Sequence, residues 1–171
     1  MRRFLISDTH FGHDAVYTFT NSNGDRIRPW ATDSATGDQV MIDRWNSIVA
    51  PEDKVYHLGD VAFPRKSLSI LDKLNGKKVL IKGNHDMFDL KDYAKHFKDI
   101  RGAFEYKGFI LTHVPVHPTQ IGRFKGNIHG HLHSNVIDDP SYFNVSVERI
   151  NATPILFEEV ADILTTSVHQ L

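Results

Sequence analysis

The chain has 171 residues, no cysteine and eleven histidines, with 20 Lys+Arg against 21 Asp+Glu and a formal net charge of -1. That length fits one domain, 1–171, with a core large enough to need no staples. The missing cysteines exclude a disulfide scaffold, a thiolate zinc site, an iron–sulfur cluster and a cysteine nucleophile, so any metal must be held by nitrogen and oxygen.

Near-neutral charge argues against a protein that grips long nucleic acid by its overall field and favours a small or locally engaged substrate. The apolar run behind Met1-Arg2-Arg3 is too short for a signal-peptide core, and no stretch approaches the ~20 apolar residues of a membrane span. The expected location is the cytosol of a bacterium or of a phage-infected cell, with no membrane partner. Charge is uneven along the chain: residues 62–110 carry eleven Lys+Arg against six acids, and residues 126–171 carry Arg149 against six acids. The basic middle either steers an anionic substrate or, at Lys91, Lys95 and Lys98, is the solvated face of a helix.

In chain order, Arg3 to Ser7 and Lys54 to Leu58 are short apolar runs that end in Asp8 and in Gly59-Asp60. They read as strands delivering acids at their carboxyl ends. Lys77 to Lys82 repeats the arrangement before Gly83-Asn84-His85-Asp86. Between them, Val40, Met41, Trp45, Ile48 and Val49 share one helical face, and Leu68, Leu71 and Leu74 share another. Residues 18–37 form a long irregular insertion, a length that is usually functional or disordered. Ala103 to Thr112 reads as a hairpin turning at Lys107-Gly108. Extended runs follow at Asn127 to His129 and Tyr142 to Val147, and Phe157, Val160, Ile163 and Leu164 suggest a closing amphipathic helix. The first half is α/β and the second mostly β, with ligand chemistry expected where strands hand over to loops.

Five short patterns fall on those strand ends: Asp8-Thr9-His10, Gly59-Asp60, Gly83-Asn84-His85-Asp86, Thr112-His113 and Gly130-His131-Leu132-His133. In extended backbone, residues i and i+2 point the same way, so each Asp-x-His or His-x-His pair can face one pocket. Glycines 59, 83 and 130 allow backbone to approach closely. Carboxylate and amide oxygens mixed with imidazoles suit Mn, Fe, Zn or Ni. There are too many donors for one ion, and two divalent ions sharing a carboxylate is the natural solution.

This series of motifs resembles the calcineurin-like metallophosphoesterase superfamily from Asp8 to His133. Ser7-Asp8-Thr9-His10-Phe11-Gly12-His13, with Arg28-Pro29-Trp30 and Trp45-Asn46, is similar to its small prokaryotic and phage branch. The resemblance implies a four-layer αββα sandwich of two mixed β-sheets flanked by helices. It implies that Asp8, His10, Asp60 and His133 hold one metal, Mn2+ before Fe, Zn or Ni, and that Asp60 bridges to a second held by Asn84, His113 and His131. It also implies that His85 is the catalytic histidine beside the leaving group. Two ions bridged by Asp60 would lower the pKa of a shared water and hold the hydroxide in line with phosphorus. His85 would then donate to the departing oxygen, with Asp86 or Asp60 keeping it charged.

Outside the metals, Arg28 is the preferred phosphate contact, because a guanidinium forks onto phosphate oxygens. His13 and Asn84 are further substrate candidates, and Arg123 and Lys125 weaker ones. His13, His57, His117 and His129 are either partners of the site or packed histidines, whereas His96 and His169 lie far from any motif. Asn46 is positioned to buttress the first loop. The expected activity is hydrolysis of a phosphomonoester or phosphodiester, on a small phosphoester or nucleotide-type substrate, in a cleft left open by the lack of a cap domain. A nuclease is the alternative, disfavoured by the neutral charge. A non-catalytic scaffold would be expected to lack His85 or some ligands, and all eight motif positions are intact.

Overall fold

The computed structural model describes residues 1–168. Nine strands form two mixed sheets: β1 (Arg3–Ile6), β2 (Lys54–His57), β3 (Lys77–Ile81), β4 (Asp99–Arg101) and β9 (Ile155–Leu156) in the first, and β5 (Ala103–Tyr106), β6 (Phe109–Thr112), β7 (Asn127–His129) and β8 (Tyr142–Asn144) in the second. The spatial orders are β4-β3-β2-β1-β9 and β5-β6-β7-β8. β1 to β4 run parallel and β9 closes the edge antiparallel to β1; β6, β7 and β8 are parallel and β5 pairs antiparallel with β6. This is the expected α/β architecture of two mixed sheets with flanking helices.

The first sheet is apolar on both faces, which is why its strands read as continuous apolar runs. Phe4, Ile6, Val55 and Leu80 face α1 (Ser34–Ile48) and the segment Arg65–Lys73, against Met41, Ile42, Trp45, Leu68 and Leu71. Leu5, Tyr56, Val79 and Ile81 face the second sheet, where they meet Phe109, Leu111, Ile128 and the buried stripe Phe157, Val160 and Leu164 of α3 (Phe157–Val168). Helix α3 packs against β1, β8 and β9. No helix of the described residues is long and apolar enough to cross a membrane.

Several elements differ from their sequence patterns for physical reasons. Ile42, not Val40, completes the buried face of α1. Leu68, Leu71 and Leu74 recur strictly every third residue, which matches a 3-10 helix, and Arg65–Lys73 is one. The helix expected to carry Lys91, Lys95 and Lys98 is a single turn, α2 (Leu90–Tyr93); Lys91 pairs with Asp89 and Lys95 with Asp92. The irregular insertion ends early because Asp33 accepts a hydrogen bond from the Thr36 amide at 2.8 Å and caps α1. The hairpin turn is the expected two-residue one: Lys107 (φ 50°) and Gly108 (φ 88°) are both left-handed, as a type I′ turn requires.

The registers bring the carboxyl ends of three strands level. Ile6 pairs with His57 and His57 with Leu80, so the loops carrying Asp8, Asp60 and Asn84 start side by side. A bridge between Ser7 and Ser146, with Ser7 N–H donating to Val145 O at 2.9 Å, ties the two sheets together at the same level.

Candidate metal centre

Seven donor side chains converge, from these loops and from the segments that follow β6 and β7. Asp8 Oδ1 lies 4.0 Å from His10 Nε2 and 4.0 Å from His133 Nε2. Asn84 Oδ1 lies 2.9 Å from His113 Nε2 and 2.9 Å from His131 Nδ1. Between the two groups stands Asp60 Oδ2, 3.6 Å from His10 Nε2 and 3.3 Å from His113 Nε2. Asp8, His10 and His133 form one set able to hold a metal ion, and Asp60, His113 and His131 another. Together they fit a dinuclear centre. The fit does not rest on proximity alone: Asp8 Oδ1 and His10 Nε2 are buried with no hydrogen-bond partner among the described residues. Leaving such groups unsatisfied is costly unless a cation completes them.

The backbone bends sharply to bring these groups in. Asp8 (φ 59°), His10 (φ 47°), Asp60 (φ 56°), His131 (φ 69°) and His133 (φ 50°) all lie in the left-handed region. Each such residue costs on the order of 1–3 kcal/mol, and this kind of strain clusters at functional sites. Two glycines make room. A Cβ at Gly83 would collide with Asp60 Oδ1, and one at Gly130 would collide with Ser7 Oγ and Asp8 Oδ2.

Each donor is oriented by its other atom. Asp8 Oδ2 accepts from the His131 amide and the Ser146 hydroxyl, both at 2.9 Å, leaving Oδ1 for the centre. Asp60 Oδ1 accepts from the His85 amide at 2.8 Å, leaving Oδ2. His113 Nδ1–H donates to Leu58 O at 2.7 Å, which turns the Nε2 lone pair inward. His133 Nδ1–H donates to Glu148 Oε1 at 3.0 Å with the same result. Burial, with the Arg28 guanidinium nearby, pulls the His10 pKa well below its ordinary value, so the ring is a neutral donor. Burial pushes the Asp8 pKa up, against the charges of His113 and His133. For Asp60, the hydrogen bond and charge of His113 outweigh burial and hold the carboxyl ionised.

Arg28 is not a substrate contact. Its side chain is wholly buried, donating to Asp8 O at 2.6 Å, to Thr9 O at 2.9 Å and to Glu148 Oε1 at 2.7 Å. It is a strut between the first loop and Glu148. Asn46 bonds Lys73 O and the Asn75 amide, far from the first loop; Asp38 of α1 fixes that loop instead, by accepting from the Gly12 amide at 2.8 Å. Asp86 is not a partner of the His85 ring: its carboxylate accepts from the amides of Asp60, Val61 and Gly83 and clips the two loops together.

His85 is exposed, its ring 5.7 Å from that of His10. It lines a cleft of about 220 Å³ with His10, His13, Phe63 and Met87. His57 is a loop anchor: its Nδ1 accepts from the Gly59 amide, so Nε2–H meets the Thr9 hydroxyl at 2.9 Å. His129 packs on Tyr142, His117 caps its own turn, and His96 pairs with Asp72. Arg123 and Lys125 lie over Phe124 and Phe109. His169 is outside the described residues. Glu148, Ser146 and Asp38 belong to no sequence motif and were not expected at the site. Only Glu148 leaves a trace in sequence, as an acid that directly follows the extended run Tyr142 to Val147.

No family model matches the chain. Over 174 residues it is 33% identical to the uncharacterised protein MJ1445 of Methanocaldococcus jannaschii, a match that takes in 94% of this chain and 90% of that one. Over 88 residues it is 31% identical to the gene 66 protein of Mycobacterium phage L5, which covers 48% of this chain and 39% of the phage protein. The crystal structure of AQ665 from Aquifex aeolicus, a protein of unknown function, matches with a TM-score of 0.73 and 26% identity over 95% of this chain and 98% of that one. On the strength of a match at one-third identity over nearly the full length of both proteins, this chain belongs to the same family as MJ1445 of Methanocaldococcus jannaschii.

Proposed function

We propose that this protein is a phosphoesterase of the metallophosphoesterase type that uses two divalent metal ions, Mn2+ foremost, held by Asp8, His10, Asp60 and His133 and by Asp60, Asn84, His113 and His131. The observation that carries the reading is the position of Asp60 Oδ2 between two donor sets, 3.6 Å from His10 Nε2 and 3.3 Å from His113 Nε2. Two cations in such a site activate water at neutral pH and offset charge on a phosphoryl group.

The chain's own residues supply the rest. The Leu58 carbonyl and Glu148 fix the tautomers of His113 and His133. Asp86 holds the Gly59-Asp60 and Gly83 turns at a fixed separation through three amide hydrogen bonds. Asp60 Oδ1 anchors the His85 backbone, so the carboxylate that joins the donor sets also sets where the His85 ring stands. Exposed at the mouth of the centre, His85 is the group placed to donate a proton to a leaving oxygen.

Assays with added Mn2+ on p-nitrophenyl phosphate, bis-p-nitrophenyl phosphate, 2′,3′-cyclic nucleotides and single-stranded DNA test the reading. Hydrolysis of at least one of the first three, abolished by a chelator, is expected. Inactivity on all four with two ions bound per chain would refute it.

A further inference from the structure

We propose that the centre acts on phosphodiesters whose two ester groups are uncharged, one of them flat and aromatic, and that each group occupies its own cleft. This rests on the phosphoesterase reading above. Two clefts reach the candidate centre and share no lining residue. The first, with Phe63 and Met87 as its apolar walls, holds His85 and opens on His10. The second, about 390 Å³, is lined by Phe19, Thr20, Ser22 and Asn135 and opens on His131 and His133. Each cleft therefore presents one exposed phenylalanine, Phe63 at 47% and Phe19 at 45%.

Charge points the same way. Among the described residues that line either cleft there is no lysine or arginine. Arg28, the cation nearest the first loop, is fully buried and committed to Glu148 and two carbonyls. A phosphomonoester brings nearly two negative charges to the site and gains from fixed cations beyond the metals, whereas a diester brings one. A monoester also leaves the second cleft empty, while a diester fills both. Water adds across one ester bond: its oxygen forms the new P–O bond, and the P–O bond to the group in the Phe63 cleft breaks with its electron pair. The departing oxygen takes a proton from His85, the proton given up by the attacking water restores His85, and the products are one alcohol or phenol and one phosphomonoester.

Two measurements test this. The first compares kcat/KM for bis-p-nitrophenyl phosphate and p-nitrophenyl phosphate with Mn2+. The wild-type protein is expected to favour the diester at least tenfold. Phe19→Ala is expected to lower the diester-to-monoester ratio about tenfold, within what a base–aromatic stack contributes. A monoester preference, or a ratio that Phe19→Ala does not move, overturns the proposal and leaves the phosphoesterase reading standing. Inactivity on both with two ions bound overturns this proposal, and the phosphoesterase reading falls with it only where 2′,3′-cyclic nucleotides and single-stranded DNA are left uncut as well.

The second uses methyl-13C-methionine protein with Mg2+ and the slow diester diphenyl phosphate. Of the three methionines, Met41 is buried and Met87 alone lines a cleft of the centre. Its methyl signal is expected to shift on saturation, and an unmoved signal contradicts the cleft assignment.

Discussion

Glu148 is the residue whose substitution separates positioning from coordination. Its carboxylate bridges the Arg28 guanidinium at 2.7 Å and His133 Nδ1 at 3.0 Å, and both Arg28 and Glu148 side chains are fully buried. Glu148→Gln keeps the shape and removes the charge, leaving Arg28 buried without its counter-ion. Breaking such a pair costs about 3–5 kcal/mol, which for a chain of this size lowers Tm by roughly 6–20 °C. The same change removes the carboxylate that orients His133, a kind of contact worth about 10–100-fold in metal affinity. Calorimetric titration with Mn2+ at neutral pH reads affinity, and thermal unfolding in chelator reads stability. One of the two binding steps is expected to weaken by that factor. Adding Arg28→Met to Glu148→Gln removes the stranded charge, so stability recovers in part while the affinity loss persists. Unchanged affinity in Glu148→Gln, or affinity restored in the double variant, would refute the argument that Glu148 acts through His133.

Further outcomes follow from the same geometry. His85→Ala is expected to retain metal content while losing ~10²–10⁴ in kcat on substrates with poor leaving groups; full activity on them would remove His85 from the mechanism. Gly83→Ala drives a Cβ into Asp60 Oδ1 and is expected to lower both thermal stability and metal content, measured by unfolding and by elemental analysis. Asp53 fastens β2 to the amino terminus: although burial pushes its carboxyl up, hydrogen bonds from the Ala50 amide and from Arg2 hold its pKa down at about 2. A depressed carboxylate pKa stabilises the fold above its unfolded value and ceases to do so as pH falls through the folded one. The stability gap between wild type and Asp53→Asn is therefore expected to be constant at neutral pH and to close between pH 3.8 and about 2 in denaturant titrations.

Most candidate donors were legible in sequence because they follow a short extended run and sit beside a glycine or a second donor, patterns set by local backbone; His113 has neither neighbour and is marked only by its place at the end of Phe109 to Thr112. Strand position was legible for the same reason. Arg28 was misread because its position in an irregular insertion says nothing about where that insertion folds. Bridged by Thr20 and Arg26 and cut short by the Asp33 cap, the segment returns Arg28 beneath the first loop. Glu148 and Ser146 act across 15 and 138 residues of chain, on His133 and Asp8, through the join between the two sheets. Such long-range contacts leave no periodicity to read. Asp86 looked like a partner for His85 because they are adjacent, yet adjacent side chains diverge, and Asp86 turns to three amides instead.

In the proposed centre Asp60 joins two metal ions, and anomalous diffraction from crystals of the Mn2+-loaded protein would locate them. Two peaks ~3.5–4 Å apart are expected, one against Asp8, His10 and His133 and the other against Asn84, His113 and His131, with Asp60 Oδ2 between them. A single peak, or two peaks of which Asp60 touches only one, would contradict the account.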